Sequence, residues 1–182
     1  MKKLLILGNY EDAIYHPFTG VDECLMSIFS GFDTECTSDL SRLTQIESEG
    51  FSGVVSYLDI WNGCPSCEEA EVLDKFIEHG GALLVLHNGI SLQSSEKLRL
   101  LMGGAFVSHP AMEEIKLKPM PHAITEGCRN FVLLEEPYQF DMTDDNKEIF
   151  LSYEYRGDDY TAGWCKTVAG EELPFLCRDI HL

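Results

Sequence analysis

Three histidines, two adjacent glutamates and a few aromatic residues are the groups through which this chain could do chemistry. His87 stands in "GGALLVLHNGIS" (80–91), where a glycine turn leads into an apolar run that ends on His-Asn-Gly. A strand that stops there turns sharply and aims the imidazole out of the sheet, where it can take a proton near neutral pH or ligate a metal. The competing reading is a core histidine whose ring is satisfied by a nearby backbone carbonyl. His109 in "SHPAM" and His122 in "PMPHAITEG" stand in proline-rich loops, which are polar for reasons unrelated to catalysis. "LLEEPYQF" adds Glu135, Glu136, Tyr138 and Phe140. In a strand the two glutamates point to opposite faces, so they cannot form a glycosidase carboxylate pair, and at most one faces a site. No cysteine occupies the corner at His87, and Ser91 lies four residues past it at the start of a loop or helix. Covalent acyl transfer is therefore disfavoured. Cys64 and Cys67 in "CPSC" have redox or zinc-ligand spacing, but a structural zinc needs four ligands and no second pair lies nearby. Two thiols in a loop are the simpler reading, with thiol–disulfide chemistry as the alternative.

Elements that would position these groups are legible in the apolar pattern. "KLLILG" (3–8), "GVVSYLD" (53–59) and "ALLVLH" (82–87) are continuously apolar over strand length, as parallel strands covered on both faces are. Between them Val21, Leu25, Ile28, Phe29 and Phe32 recur at helical spacing, as do Val72, Leu73, Phe76 and Ile77. Gly31, Gly80 and Gly103 follow helical stretches as C-terminal caps prefer, and "SSEK" (94–97) supplies an N-cap. This order predicts an α/β fold: a doubly wound, mostly parallel sheet with helices on both faces, flavodoxin-like in outline. Beyond Gly104 the pattern loosens. "EIKLKP" (114–119) reads as an edge or outlying strand with one wet face, and "NFVLLEEPYQF", "KEIFLSYEY", "TAGWCKT" and "PFLCRDI" as further strands. Open parallel sheets bind ligands outside the carboxyl ends of their strands, which here carry Asn9 and Tyr10, Asp59 to Trp61, and His87 to Gly89.

At 182 residues one domain spanning 1–182 is expected. Thirty-one acidic residues against thirteen Lys and Arg give a formal charge of −18, which repels phosphate backbones and anionic lipid, so neither nucleic acid nor a membrane is expected as a partner. The first apolar run, Leu4 to Leu7, is shorter than the ~7–15 residues of a secretory h-region, and no run approaches the ~20 residues of a membrane span. With seven cysteines, an odd number that suits reduced thiols, a soluble cytoplasmic protein is expected. A homo-oligomer is the default expectation for such a domain.

"FSGVVSYLDIW", "FIEHGGALLVLHNG", "MGGAFVSHP", "HAITEGCRNFVLLEEPYQF" and "AGWCK" occur in an order that resembles the ThuA-like, or trehalose-utilisation, family. Its members look like relatives of the class I glutamine amidotransferase fold without the cysteine nucleophile. The resemblance matches His87 to the histidine after the paired glycines. It matches Gly103, Gly104, Phe106 and His109 to a GG-x-F…H block, and His122, Ile124, Thr125 and Gly127 to an HPIT-x-G block. Glu135, Glu136 and Tyr138 answer an acidic pair followed by tyrosine. Ala123 stands where the family has proline, Glu135 where it more often has aspartate, "CPSC" is not a family feature, and only His181 answers a terminal Gly-His. The resemblance implies one pocket holding His87, His109, Glu136 and Tyr138 and a sugar-directed enzyme of trehalose or keto-sugar catabolism. The alternative it leaves is a non-catalytic sugar-binding or assembly domain. On that footing His87 is the general base or a metal ligand, Glu136 its acidic partner and His109 a second acid or ligand. Asp59, Asn88 and His122 would hold sugar hydroxyls, and Trp61 and Tyr138 would stack on the ring. No cofactor is assigned; a divalent metal on His87, His109 and Glu136 is a variant of the same site.

Overall fold

The structure, a computed structural model, describes residues 1–143, 145–168 and 176–178, the last three by backbone alone. Strands β1 (Lys3–Gly8), β3 (Phe51–Tyr57) and β4 (Ala82–Leu86) form where the continuous apolar runs stand. Burial on both faces explains the lack of alternation in these strands. Leu5 and Leu7 of β1 join Val54, Leu83 and Val85 in one core, into which α2 (Cys67–Glu78) lowers Ala70, Leu73, Phe76 and Ile77. Ile6, on the opposite face, joins Val55, Tyr57 and Leu86 under α1 (Val21–Ile28), which contributes Leu25. Helices thus cover both faces of this part of the sheet. Ser66 starts α2 through a reciprocal cap: its Oγ accepts from Glu69 N–H (3.1 Å), and the Glu69 carboxylate accepts from Ser66 N–H (2.7 Å). Ser95 stands at the N-cap position of α3 (Glu96–Met102) without a side-chain cap bond, and Gly103 ends the helix in a left-handed conformation.

A strand without an apolar run, β2 (Asp33–Thr37), pairs parallel with β1 at the sheet edge, where little of it needs to be buried. The large sheet runs β2-β1-β3-β4-β11-β10-β9-β6-β7, with β6 (Glu113–Pro119), β7 (Phe131–Glu135), β9 (Glu148–Tyr155), β10 (Asp158–Cys165) and β11 (Leu176–Arg178). From β2 to β11 neighbours are parallel, but from β11 to β7 they are antiparallel. The expectation of a mostly parallel sheet is therefore corrected to a mixed one. Parallel neighbours need a crossover of about a dozen residues or more, whereas β9 and β10 are joined by a two-residue reversal. The β9–β10 hairpin turns on Arg156 and Gly157 at φ 53° and 92°, the pair of positive values that a two-residue turn matched to strand twist requires.

"EIKLKP" alternates as expected, with Ile115 and Leu117 buried, but lies between β9 and β7 rather than at an edge. "NFVLLEEPYQF" is not one strand. It breaks at Glu136-Pro137, where proline cannot donate to a ladder, into β7 and β8 (Gln139–Met142). β8 pairs with β5 (Gly104–Ser108) in a separate antiparallel ribbon. "PFLCRDI" contains β11, while its flanks and His181 lie outside the described residues. Among the described residues no helix is long and apolar enough to cross a membrane.

Candidate functional site

At the end of β4 the chain enters a tight 3-10 helix, His87–Ser94, and His87 itself takes φ 45°. A left-handed backbone is uncommon for histidine. The corner is held down onto the end of β3 by side chains. Asn88 Nδ2 donates to Tyr57 O (3.2 Å), and Ser91 Oγ donates to Leu58 O (2.8 Å) while accepting from Ile60 N–H (3.1 Å). Both are fully buried. Asn88 is a staple beneath the corner, and the Ser91 hydroxyl is engaged with the backbone on both sides.

Asp59, 3 % exposed, performs the next positioning step. Its N–H donates to Asn9 Oδ1 (2.8 Å), and its Oδ2 accepts from the backbone N–H groups of Tyr15 (2.7 Å) and His16 (2.9 Å). These bonds draw the loop between β1 and α1 over the corner, so Asp59 shapes the wall. The result is a histidine that the sequence reading passed over. His16 Nε2 stands 3.2 Å from His87 Nε2, the two rings meeting edge-on at 4.3 Å between centroids. His16 lies in the same rim loop as Asn9 and Tyr10, and that position was the signal available.

From the other side come Glu136, Tyr138 and His109. Glu135 is buried, and its Oε1 accepts from Glu136 N–H (2.7 Å). Tyr138 N–H donates to Glu136 O (2.8 Å), and Tyr153 Oη donates to Tyr138 O (2.7 Å), which pins the break between β7 and β8. Tyr138 stacks on His87 (4.7 Å) with its hydroxyl 3.4 Å from His87 Nε2, and it also lies against His109 (5.4 Å). What it offers is a hydroxyl beside two imidazoles more than a bare ring for a sugar face. His109 Nδ1 donates to Pro110 O (2.8 Å) and stands 3.9 Å from Glu136 Oε1.

A cavity of about 540 Å³ opens over this group, lined by His16, Trp61, Phe106, His109, Glu136 and Tyr138 together with Ile14 and Tyr15. Trp61 and Phe106 form its apolar side, 5.3 Å between centroids. His87 is buried behind His16 and Tyr138. His87, His109, Glu136, Tyr138 and Trp61 are thus brought together. His122 is not: its Nδ1 accepts from Ile124 N–H (3.1 Å), and its Nε2 lies 3.5 Å from both Cys165 Sγ and Glu148 Oε2, at the second core under Phe150. Donor atoms of His16, His87 and Glu136 all lie within 4.8 Å of one another.

Cys64 and Cys67 are exposed free thiols, Cys67 being the first residue of α2. Burial pushes the Cys165 thiol up, reinforced by the Glu148 charge, and does the same for Cys36 with help from Asp22. Since the thiolate is the nucleophile, iodoacetamide at neutral pH should label the exposed Cys24, Cys64, Cys67 and Cys128 well before Cys36 and Cys165. Peptide mass mapping over time checks this, and equal labelling of Cys165 and Cys64 would contradict it.

The model of the ThuA family, described as trehalose utilisation, matches residues 17–177. The chain belongs to the ThuA family. The matched span opens one residue after His16, so the second imidazole stands just outside it. Among solved structures the ThuA chain is similar to a ThuA-like protein from Bacteroides uniformis (15 % identity, TM-score 0.73, 98 % of this chain and 81 % of that one). It is also similar to one from Parabacteroides merdae (17 %, 0.69, 98 % and 78 %). A glutamine amidotransferase from Thermotoga maritima shares the fold more distantly (10 %, 0.59, 99 % and 75 %). No curated protein matches the chain in sequence at a significant level. ThuA membership agrees with the resemblance drawn from the blocks around His87 and Glu136 and suggests a carbohydrate-related role, while the similar structures agree in fold.

Proposed function

We propose that this ThuA-family chain is a cytoplasmic enzyme acting on a small carbohydrate, trehalose or a keto-sugar derived from it, without amidotransferase chemistry. One observation carries the reading: two imidazoles, a carboxylate and a phenol converge on a cavity whose other side is aromatic. At about 540 Å³ the cavity has the size of a small-molecule site. Trp61 and Phe106 offer an apolar surface to the C–H face of a pyranose, and Glu136 accepts a hydroxyl hydrogen bond. Transfer of a proton at a carbon next to a keto group falls to the His16–His87 pair, because one nitrogen of a close imidazole pair can hold the proton that the other lacks.

His87→Gln is expected to reduce turnover of a keto-disaccharide by about 100-fold or more while leaving its binding within a few-fold, since a positioned acid–base group contributes on that scale. Calorimetry for binding and product chromatography for turnover read the two separately. If wild-type protein binds neither trehalose nor its keto derivatives, the reading fails. If it binds them and His87→Gln changes no reaction, the chain is a carbohydrate-binding module.

A further inference from the structure

We infer that His16, His87 and Glu136 form a binding site for one divalent transition-metal cation of the zinc class, with a further coordination position open to the cavity. The inference goes beyond the carbohydrate reading and does not depend on it; a cation held by both Nε2 atoms takes the lone pairs that the metal-free imidazole pair uses for proton transfer, so the two are alternative uses of the same nitrogens.

Metal ligation has a distance signature. A tetrahedral centre with bonds of about 2.0–2.1 Å holds its ligand atoms roughly 3.3 Å apart. His16 Nε2 and His87 Nε2 stand 3.2 Å apart, and a carboxylate oxygen of Glu136 lies within 4.8 Å of both, so ligation requires the Glu136 side chain to draw in toward the pair. Two imidazoles and one carboxylate suit zinc and its first-row neighbours, whereas calcium and magnesium prefer oxygen alone.

Each ligand is also held by a different anchor. Asp59 fixes the backbone at His16, the corner against β3 fixes His87, and the buried Glu135 carboxylate fixes the backbone at Glu136. Such supporting bonds are what keep ligands in place before the metal arrives. The formal charge of −18 raises the local concentration of cations. His109 is not part of the set: the group whose ligand atoms all lie within 4.8 Å of one another is His16, His87 and Glu136, and His109 stands beside it with Nδ1 3.9 Å from Glu136 Oε1. Three protein ligands beside an open cavity are the arrangement that leaves a metal position for water or substrate.

The test is titration of chelator-stripped full-length protein with Zn²⁺ by calorimetry, and with Co²⁺ as an absorbing surrogate whose visible bands report low coordination number. One equivalent is expected to bind. His16→Ala and Glu136→Gln are each expected to weaken it by about 10-fold or more, as loss of a ligand must exceed the effect of losing a supporting partner. A Cys64→Ser/Cys67→Ser double variant is expected to leave affinity unchanged. Wild-type protein that takes up neither ion overturns the site, as does affinity that survives both ligand variants or falls only in the cysteine variant. Should His16→Ala not fold, Glu136→Gln, an isosteric change at a side chain facing the cavity, decides alone. Zn²⁺ bound at these residues in a protein indifferent to sugars would sink only the carbohydrate reading. Sugar turnover in a protein that ignores both ions would sink only the metal site.

Discussion

Gly89→Ala is expected to yield little or no folded protein, because the added methyl group meets the backbone of a central strand. A Cβ at residue 89 would sit 2.1 Å from Ser56 O and 2.7 Å from Ser56 C. Both are backbone atoms of β3, which is paired on one side with β1 and on the other with β4. Neither atom can retreat without breaking a ladder in the middle of the sheet. Ordinary overpacking costs about 1–3 kcal/mol because side chains can yield, and here nothing on the far side can. Gly81→Ala makes the useful contrast. Its Cβ would meet the Phe76 ring at 2.3 Å, but a ring can rotate where a strand cannot, so a milder loss is expected. Soluble yield and urea denaturation of the two variants measure the difference. A Gly89→Ala protein as stable as wild type would show that the corner is not seated against β3 as described, and the position of His87 would fall with it.

Trp164→Ala ranks second, with an expected loss of about 3–5 kcal/mol, the usual range for deleting a buried indole. Trp164 is 0 % exposed in β10, packs edge-on against Phe140 at 5.1 Å, and donates from Nε1 to Met102 O at 2.8 Å. It therefore joins β10, the end of α3 and the β5–β8 ribbon at one point. A domain of this size has a total stability of about 5–15 kcal/mol, so the alanine variant should melt near or below ordinary growth temperature. Trp164→Phe separates two causes. It retains most of the packing but leaves the Met102 carbonyl without its donor, for which about 1–3 kcal/mol is expected. If phenylalanine costs as much as alanine, the hydrogen bond outweighs the volume; if it costs nothing, the bond is dispensable.

How far the molecule could be read from its residues depended on whether the signal was local. β1, β3, β4 and α2 announce themselves because burial on both faces, or on one helical stripe, demands apolar residues at fixed spacing. β2 has no such mark, since an edge strand buries little. The antiparallel half escaped because strand direction is set by connections: Arg156-Gly157 is a hairpin turn, and the stretches on either side of it were read as separate strands without the reversal that joins them. At the site, the corner at His87 was visible as turn chemistry, whereas the break at Pro137 was read through as strand, and Glu136 and Tyr138 were named through the order of blocks that resembles the family. His16 could not be paired with His87 from sequence, since 71 residues separate them and long-range bonds such as those of Asp59 bring them together. Asp59 and Asn88 show the reverse difficulty: a polar residue at a strand end looks the same whether it meets a ligand or a neighbouring backbone amide.

The ribbon of β5 and β8 has its own ladder, and among the described residues no strand pairing joins it to the large sheet. Phe106 lies on that ribbon, and His109 and Tyr138 flank it, so much of the cavity wall is built outside the nine-stranded ladder. Substitutions there can reshape what the hollow admits while the register of the main scaffold is inherited intact. A protein organised in this way can change its preferred small molecule over evolutionary time by amending one detachable leaf, and laboratory diversification should begin on that leaf.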